Sequence, residues 1–216
     1  ELQWTHVGKN YETKIGIRKD FWGVTETVHR VDIINQTDAV ESFDGEDKLG
    51  QPMINLSLER DWGVLDLYAL IGSRERTYAG NNGRLRMPFI VDTHNPIYES
   101  SEEENKIDFA IRWNHYYGDL ELAISHFSGN TREPLLIPAQ DGNLIKLLPR
   151  YDLIDQTGLE ALYIIEGWAL KLETITRSGQ GDRFTALTTG FEYTQTGVFE
   201  TVLDLGWIIE LNHDDR

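Results

Sequence analysis

Runs of alternating apolar and polar residues meet in pairs across short polar turns, five times along this chain. The cleanest pair is 108–117 and 120–127, joined at Gly118-Asp119. In the first run Phe109, Ile111 and Trp113 alternate with Ala110, Arg112 and Asn114. In the second, Leu120, Leu122 and Ile124 alternate with Glu121, Ala123 and Ser125. A period of two places each set on one face of a β-strand. The chain is therefore all-β and built from hairpins with one apolar face. A packed core and a lipid bilayer both fit that face, and which of them it meets decides the function.

The alternation predicts ten strands, at 1–8, 12–21, 53–60, 64–73, 107–116, 119–128, 157–165, 168–177, 183–194 and 201–212. Each is close to the ~9–11 residues of a tilted membrane-crossing strand. Connections within pairs are short: Lys9-Asn10, Asp61-Trp62-Gly63 and Glu166-Gly167 are examples. Connections between pairs are long, at 22–52, 74–106 and 129–156, with Ser178–Asp182 the exception. Short turns on one rim and long loops on the other is the habit of outer-membrane barrels. Leu144–Leu148, ahead of Pro149, reads as a loop plug or a short eleventh strand.

Composition narrows the field. At 216 residues the chain is one domain, 1–216, or two small ones. A formal charge of −16 disfavours a phosphate-backbone partner, so no nucleic acid is expected. There is no cysteine, hence no disulfide framework and no thiolate chemistry. No apolar run approaches the ~20 residues of a membrane helix. Acidic blocks at 41–47 and 99–104 fall between strand pairs and read as exposed loops.

Aromatic placement favours the bilayer. Tyr11, Trp62, Tyr116, Tyr117, Trp168 and Tyr193 all lie at or beside the short turns. Such rings prefer the headgroup level, where an apolar body and a polar tip are both satisfied. The competing explanation is that each ring packs over its own turn. With the apolar parity toward lipid, Lys14, Arg18, Glu59, Asp66, Arg112, Glu121, Lys171, Glu173, Arg177, Glu192, Asp204 and Glu210 face the lumen. Those residues line a water-filled pore or fill a closed bore.

Certain segments resemble porin-like outer-membrane proteins of Gram-negative bacteria. The likeness lies in Lys14-Ile15-Gly16-Ile17-Arg18-Lys19-Asp20-Phe21-Trp22-Gly23-Val24-Thr25-Glu26 and in Val31-Asp32-Ile33-Ile34-Asn35-Gln36. It extends to the 44–52 and 125–134 segments. The resemblance implies an antiparallel up-and-down transmembrane β-barrel in the bacterial outer membrane, contacting lipid and lipopolysaccharide. It implies passage of small solutes only weakly. The family's barrels end on an aromatic strand residue, whereas this chain ends Leu211-Asn212-His213-Asp214-Asp215-Arg216. That departure suggests part of a larger barrel.

Bond chemistry finds little support. Ser125-His126 is tempting, but neighbours on a strand point to opposite faces. There is no Gly-x-Ser-x-Gly elbow. His115 and His126 lie on paired strands without metal-ligand spacing. Asp44, Glu46 and Asp47 could hold calcium, but do not match the twelve-residue loop pattern. The expectation is no enzyme, no metal and no cofactor. Three functions stand: a porin-like channel for small solutes, a plugged structural or binding barrel, and a soluble β-sandwich or lipocalin-like binder. The oligomeric state is left open.

Overall fold

The computed structural model describes all residues except 27, 42–44, 81, 84–85, 143, 197–201 and 214–216, and the side chains of residue 141 and of 195 onward. The strands are β1 (Leu2–Val7), β2 (Tyr11–Arg18), β3 (Gln51–Arg60), β4 (Gly63–Ile71), β5 (Ile90–Val91), β6 (Ile97–Tyr98) and β7 (Ile107–Tyr117). They continue with β8 (Leu120–Asn130), β9 (Leu135–Asp141), β10 (Leu144–Tyr151), β11 (Leu153–Ile165), β12 (Trp168–Gly179), β13 (Gly181–Thr196) and β14 (Val202–His213). The one helical turn described is the 3-10 segment Glu103–Asn105.

Ten strands form one sheet in the order β1-β2-β3-β4-β7-β8-β11-β12-β13-β14, every neighbouring pair antiparallel. This is the up-and-down meander that the alternation predicts, with all five hairpins in place. The strand path is open: among the described residues β1 and β14 do not pair with each other. The sheet is therefore shown, and a closed ring is not.

The long connections hold more structure than the alternation suggests. In a second, four-stranded sheet β10 pairs antiparallel with β9 and parallel with β5 and β6. Leu144–Leu148 belongs to β10, so it is a strand and not a plug.

Described residues between 19 and 50 pack against one face of the large sheet. Trp22, Val31, Ile33 and Ile34 are buried in one cluster with Met53, Tyr68, Leu70, Ala110, Phe127, Ile154, Ile175 and Ala186. The partners in that cluster come from β3, β4, β7, β8, β11, β12 and β13. A flat sheet would hold β3 and β13 about 29 Å apart at ~4.8 Å per strand. Sharing one cluster means that the sheet wraps around the segment. The inner face is thus not uniformly polar, as the simple alternation implies: toward the long loops it carries a hydrophobic core.

Candidate functional site

Register fixes the two faces. One cross-strand row runs Ser57, Asp66, Arg112, Ser125, Gly158, Ile175, Ala186. Another runs Asn114, Ala123, Glu160, Glu173, Thr188. On these rows Gly158, Glu173 and Thr188 meet the 19–50 segment, at Val31, at Val24, Thr25 and Val31, and at Arg30. The opposite face carries Ile15, Ile17, Ile54, Leu67, Phe109, Ile111, Ile124 and Leu170, all exposed. Among the described residues of this sheet, charge reaches that outer face near strand ends, at Arg60, Asp155 and Arg183. Polarity is inverted relative to a water-soluble sheet: exposed apolar outside, buried charge inside.

The inner charges hold the segment. Glu173 is fully buried. Its Oε1 accepts from the Val24 amide (2.7 Å), the Thr25 amide (2.9 Å) and the Thr25 hydroxyl (2.7 Å). Its Oε2 accepts from the Val31 amide (3.3 Å). One carboxylate thereby satisfies three backbone donors that no strand ladder reaches. Close approach is built in at two glycines. A Cβ on Gly158 would sit 2.8 Å from Val31 Cγ1, and one on Gly23 would sit 2.8 Å from Glu173 Oε1.

Around this latch, Arg112 forks onto Glu160 with two bonds of 3.0 Å. Arg177 bonds Gln156 (2.8 Å) and reaches Glu133 (2.5 Å). Arg18 bonds Asp20 (2.5 Å) and Asn55 (3.4 Å). Lys171 pairs with Glu26 of the segment and with Glu192 at 2.8 Å. That hydrogen bond from Lys171 holds the exposed Glu26 carboxyl below its ordinary range. Asn35 ties the segment to both its ends, donating to the Arg18 and Leu49 carbonyls and accepting from the Asp20 amide. Asp32 pairs with Lys48 at 3.0 Å; burial nevertheless raises its pKa, with Lys48 opposing.

Lys14, Arg18, Glu59, Asp66, Arg112, Glu121, Lys171, Glu173, Arg177, Glu192, Asp204 and Glu210 share the inner parity by register. The side chains of Asp204 and Glu210 lie outside the described residues. The structure does not present the rest as one charged ring. Arg112, Glu173 and Arg177 are absorbed in the contacts above. Lys14, Glu59 and Asp66 line a separate polar groove of about 450 Å³ between β1 and β4, toward the short turns.

The turn-side aromatics are mostly exposed: Tyr11, Trp62, Tyr116, Tyr117 and Trp168 are, while Tyr193 is half-buried. Several touch ring to ring, as Trp168 does with Tyr193 at 4.6 Å and His115 with Tyr117 at 4.5 Å. His126 faces outward and meets Thr157 at 2.9 Å, while Ser125 is buried on the inner face. His115 stands opposite Leu122 and His126 opposite Ile111, so the two histidines are not cross-strand neighbours.

Sequence reasoning missed Glu160, whose parity opposite Leu159 and Ala161 marks it as inner. It also missed Asp108 and Arg132, paired at 2.9 Å beneath the long loops. Arg132 lies beyond the end of β8, where alternation carries no information.

No protein family, curated protein or solved structure matches this chain.

Proposed function

We propose that this chain forms the wall of a porin-like outer-membrane β-barrel whose bore is narrowed by residues 19–50, passing small solutes by geometry and field. The observation that carries the reading is the inverted polarity of the sheet. A contiguous apolar face wider than a few hundred Å² is rare on a soluble monomer, whereas lipid requires one. In such a barrel the β1 and β14 edges each require a strand partner, because lipid offers none for open strand edges. The exposed rings at the short turns then stand at the headgroup level. Among the described residues no activated nucleophile stands beside a base.

A second reading is a plugged barrel with a structural or binding role. It is favoured by the number of inner groups, Glu173, Arg177 and Lys171 among them, that are spent on contacts made by the long connections.

The test is export of the chain with an outer-membrane signal, followed by membrane fractionation and gel migration with and without boiling. An outer-membrane band that shifts on boiling is expected. A soluble, unshifted protein overturns the barrel. Planar-bilayer conductance then separates the channel from the plugged form.

A further inference from the structure

The short turns do not sit level across the large sheet. The cross-strand row through Tyr11, the first residue of β2, runs Leu58, Leu65, Trp113, Ile124, Leu159, Thr174. On β3 and β4 that row lies two residues short of the last pair before the turn, Arg60 with Gly63. On β7 and β8 it lies four short of Tyr117 with Leu120, and on β11 and β12 six short of Ile165 with Trp168. Each hairpin is thus displaced by two residues relative to the one before, or one residue per strand. With ~3.3 Å per residue and ~4.8 Å between strands, that slope is a tilt of about 35°. A barrel closes at a tilt of ~35–45°.

The outer face follows the same slope. The row Ile15, Ile54, Ala69, Phe109 is apolar on β2, β3, β4 and β7, and continues as Ser128, Asp155 and Ser178 on β8, β11 and β12. On the later strands an apolar row lies nearer the short turns, at Tyr117, Leu120, Tyr163, Leu170 and Phe191. A flat bilayer leaves such an oblique band on tilted strands. Backbone register and side-chain polarity are separate properties, and they slope in one direction.

β1 is an unfinished part of this wall. Its residues are exposed on both faces, Gln3 and Thr5 as well as Leu2 and Trp4. Among the described residues β1 pairs with β2 alone, and β14 with β13 alone. The two open edges run antiparallel, because ten strands alternate in direction.

We propose that β1 and β14 pair with each other at a stagger of about ten residues and so close the sheet into a ring. A slope of one residue per strand, carried once round the ten strands, sets Leu2 against Trp207, Trp4 against Leu205, Thr5 against Asp204 and His6 against Leu203. Outer parity then meets outer and inner meets inner, which a slip of one residue would reverse. Every residue of β1 finds a partner within β14. The proposal rests on the barrel reading above and names the partner that each edge takes. Thr5 pairs with Lys14 on its other side, so β14 becomes the missing wall of the polar groove lined by Lys14, Glu59 and Asp66. A ten-strand ring is little wider than the eight-strand ring that side chains fill, which keeps any passage small.

The test is disulfide mapping of the seam in the full chain, exported with an outer-membrane signal. The chain has no cysteine, so introduced thiols are the only ones. Trp4→Cys is combined in turn with Leu203→Cys, Leu205→Cys and Trp207→Cys, and each variant is oxidised and run on a non-reducing gel. An intrachain bond, lost on reduction, should form most completely with Leu205→Cys, because direct opposites lie within disulfide reach and positions two residues away do not. The pair Thr5→Cys with Asp204→Cys should crosslink likewise from the inner face, and serves if the outer variants fail to fold. A maximum at Leu203→Cys or Trp207→Cys overturns the stagger. Bonds only between chains, or none, overturn the closure. Fractionation and boiling shift on the same samples keep the two readings apart. A membrane-inserted, heat-shifted chain without the intrachain bond overturns closure and leaves the barrel, its edges then met by other strands. A soluble chain with the bond overturns the membrane and leaves the ring.

Discussion

Replacing Glu173 by Gln removes the charge of the latch while keeping its shape. Oε1 holds three donors and Oε2 one. Hydrogen bonds to a charged acceptor contribute ~1.5–3 kcal/mol each and neutral ones ~0.5–1.5, so three weakened bonds lose about 3 kcal/mol. The new amide group then faces the Val31 N–H donor to donor, which costs roughly 1–3 kcal/mol more. Against this, the neutral amide no longer carries the desolvation cost of a buried charge, which returns several kcal/mol of the total. A net local loss of about 2–4 kcal/mol remains. The β12 ladder to β11 and β13 does not use this side chain, so the loss should fall on the segment and not on the sheet. Amide hydrogen exchange in detergent or lipid reads it directly. Exchange at Val24, Thr25 and Val31 should accelerate on the order of 100-fold, the equivalent of ~2.8 kcal/mol, with β12 and β13 amides unchanged. Unchanged exchange at those three amides refutes the latch. Equal acceleration across the whole sheet refutes its local character.

Ile124→Arg places a charge at mid-strand on the outer face, where Ile124 is exposed. In lipid it should cost ~2–4 kcal/mol at the midplane, measured by denaturant unfolding from vesicles; a cost within ±0.5 kcal/mol, as on an ordinary water-facing surface, would remove lipid from that face. Arg112→Ala strands the buried Glu160 carboxylate and should cost ~3–5 kcal/mol, while the double change to Met at both positions recovers most of it. Equal unfolding midpoints for single and double variants would mean the pair is not coupled. In the small sheet, a hydrogen bond from Lys146, then one from Asn95, lower the Asp92 pKa from 3.8 to about 2. A depressed carboxylate pKa stabilises the fold above the unfolded value and loses that contribution as pH falls through the folded one. The Asp92 carboxyl should therefore titrate near pH 2 by NMR, and Asp92→Asn should abolish the loosening of the β5–β10 edge between about pH 4 and pH 2.

Alternation alone determined the ten-strand meander, its hairpins and the inner parity of Arg112, Lys171 and Glu173. Strand period and turn chemistry are local properties, and residues a few positions apart suffice to express them. Of the small sheet, alternation reached only Leu144–Leu148, as a plug or a short strand; its hairpin partner β9 lies inside a stretch left as a connection. The pairing of β10 with β5 and β6 was not legible, because those partners are two residues long and carry no period. Only the tertiary structure decided what lies against the inner face. Glu173 and Val24 are 149 residues apart, and no local pattern announces that a carboxylate on β12 will serve backbone amides of a loop. The same holds for Trp22, Val31, Ile33 and Ile34, whose burial follows from the sheet wrapping around them. Long-range hydrogen bonds and packing depend on which surfaces the whole chain brings together, and that information does not reside in any one stretch of it.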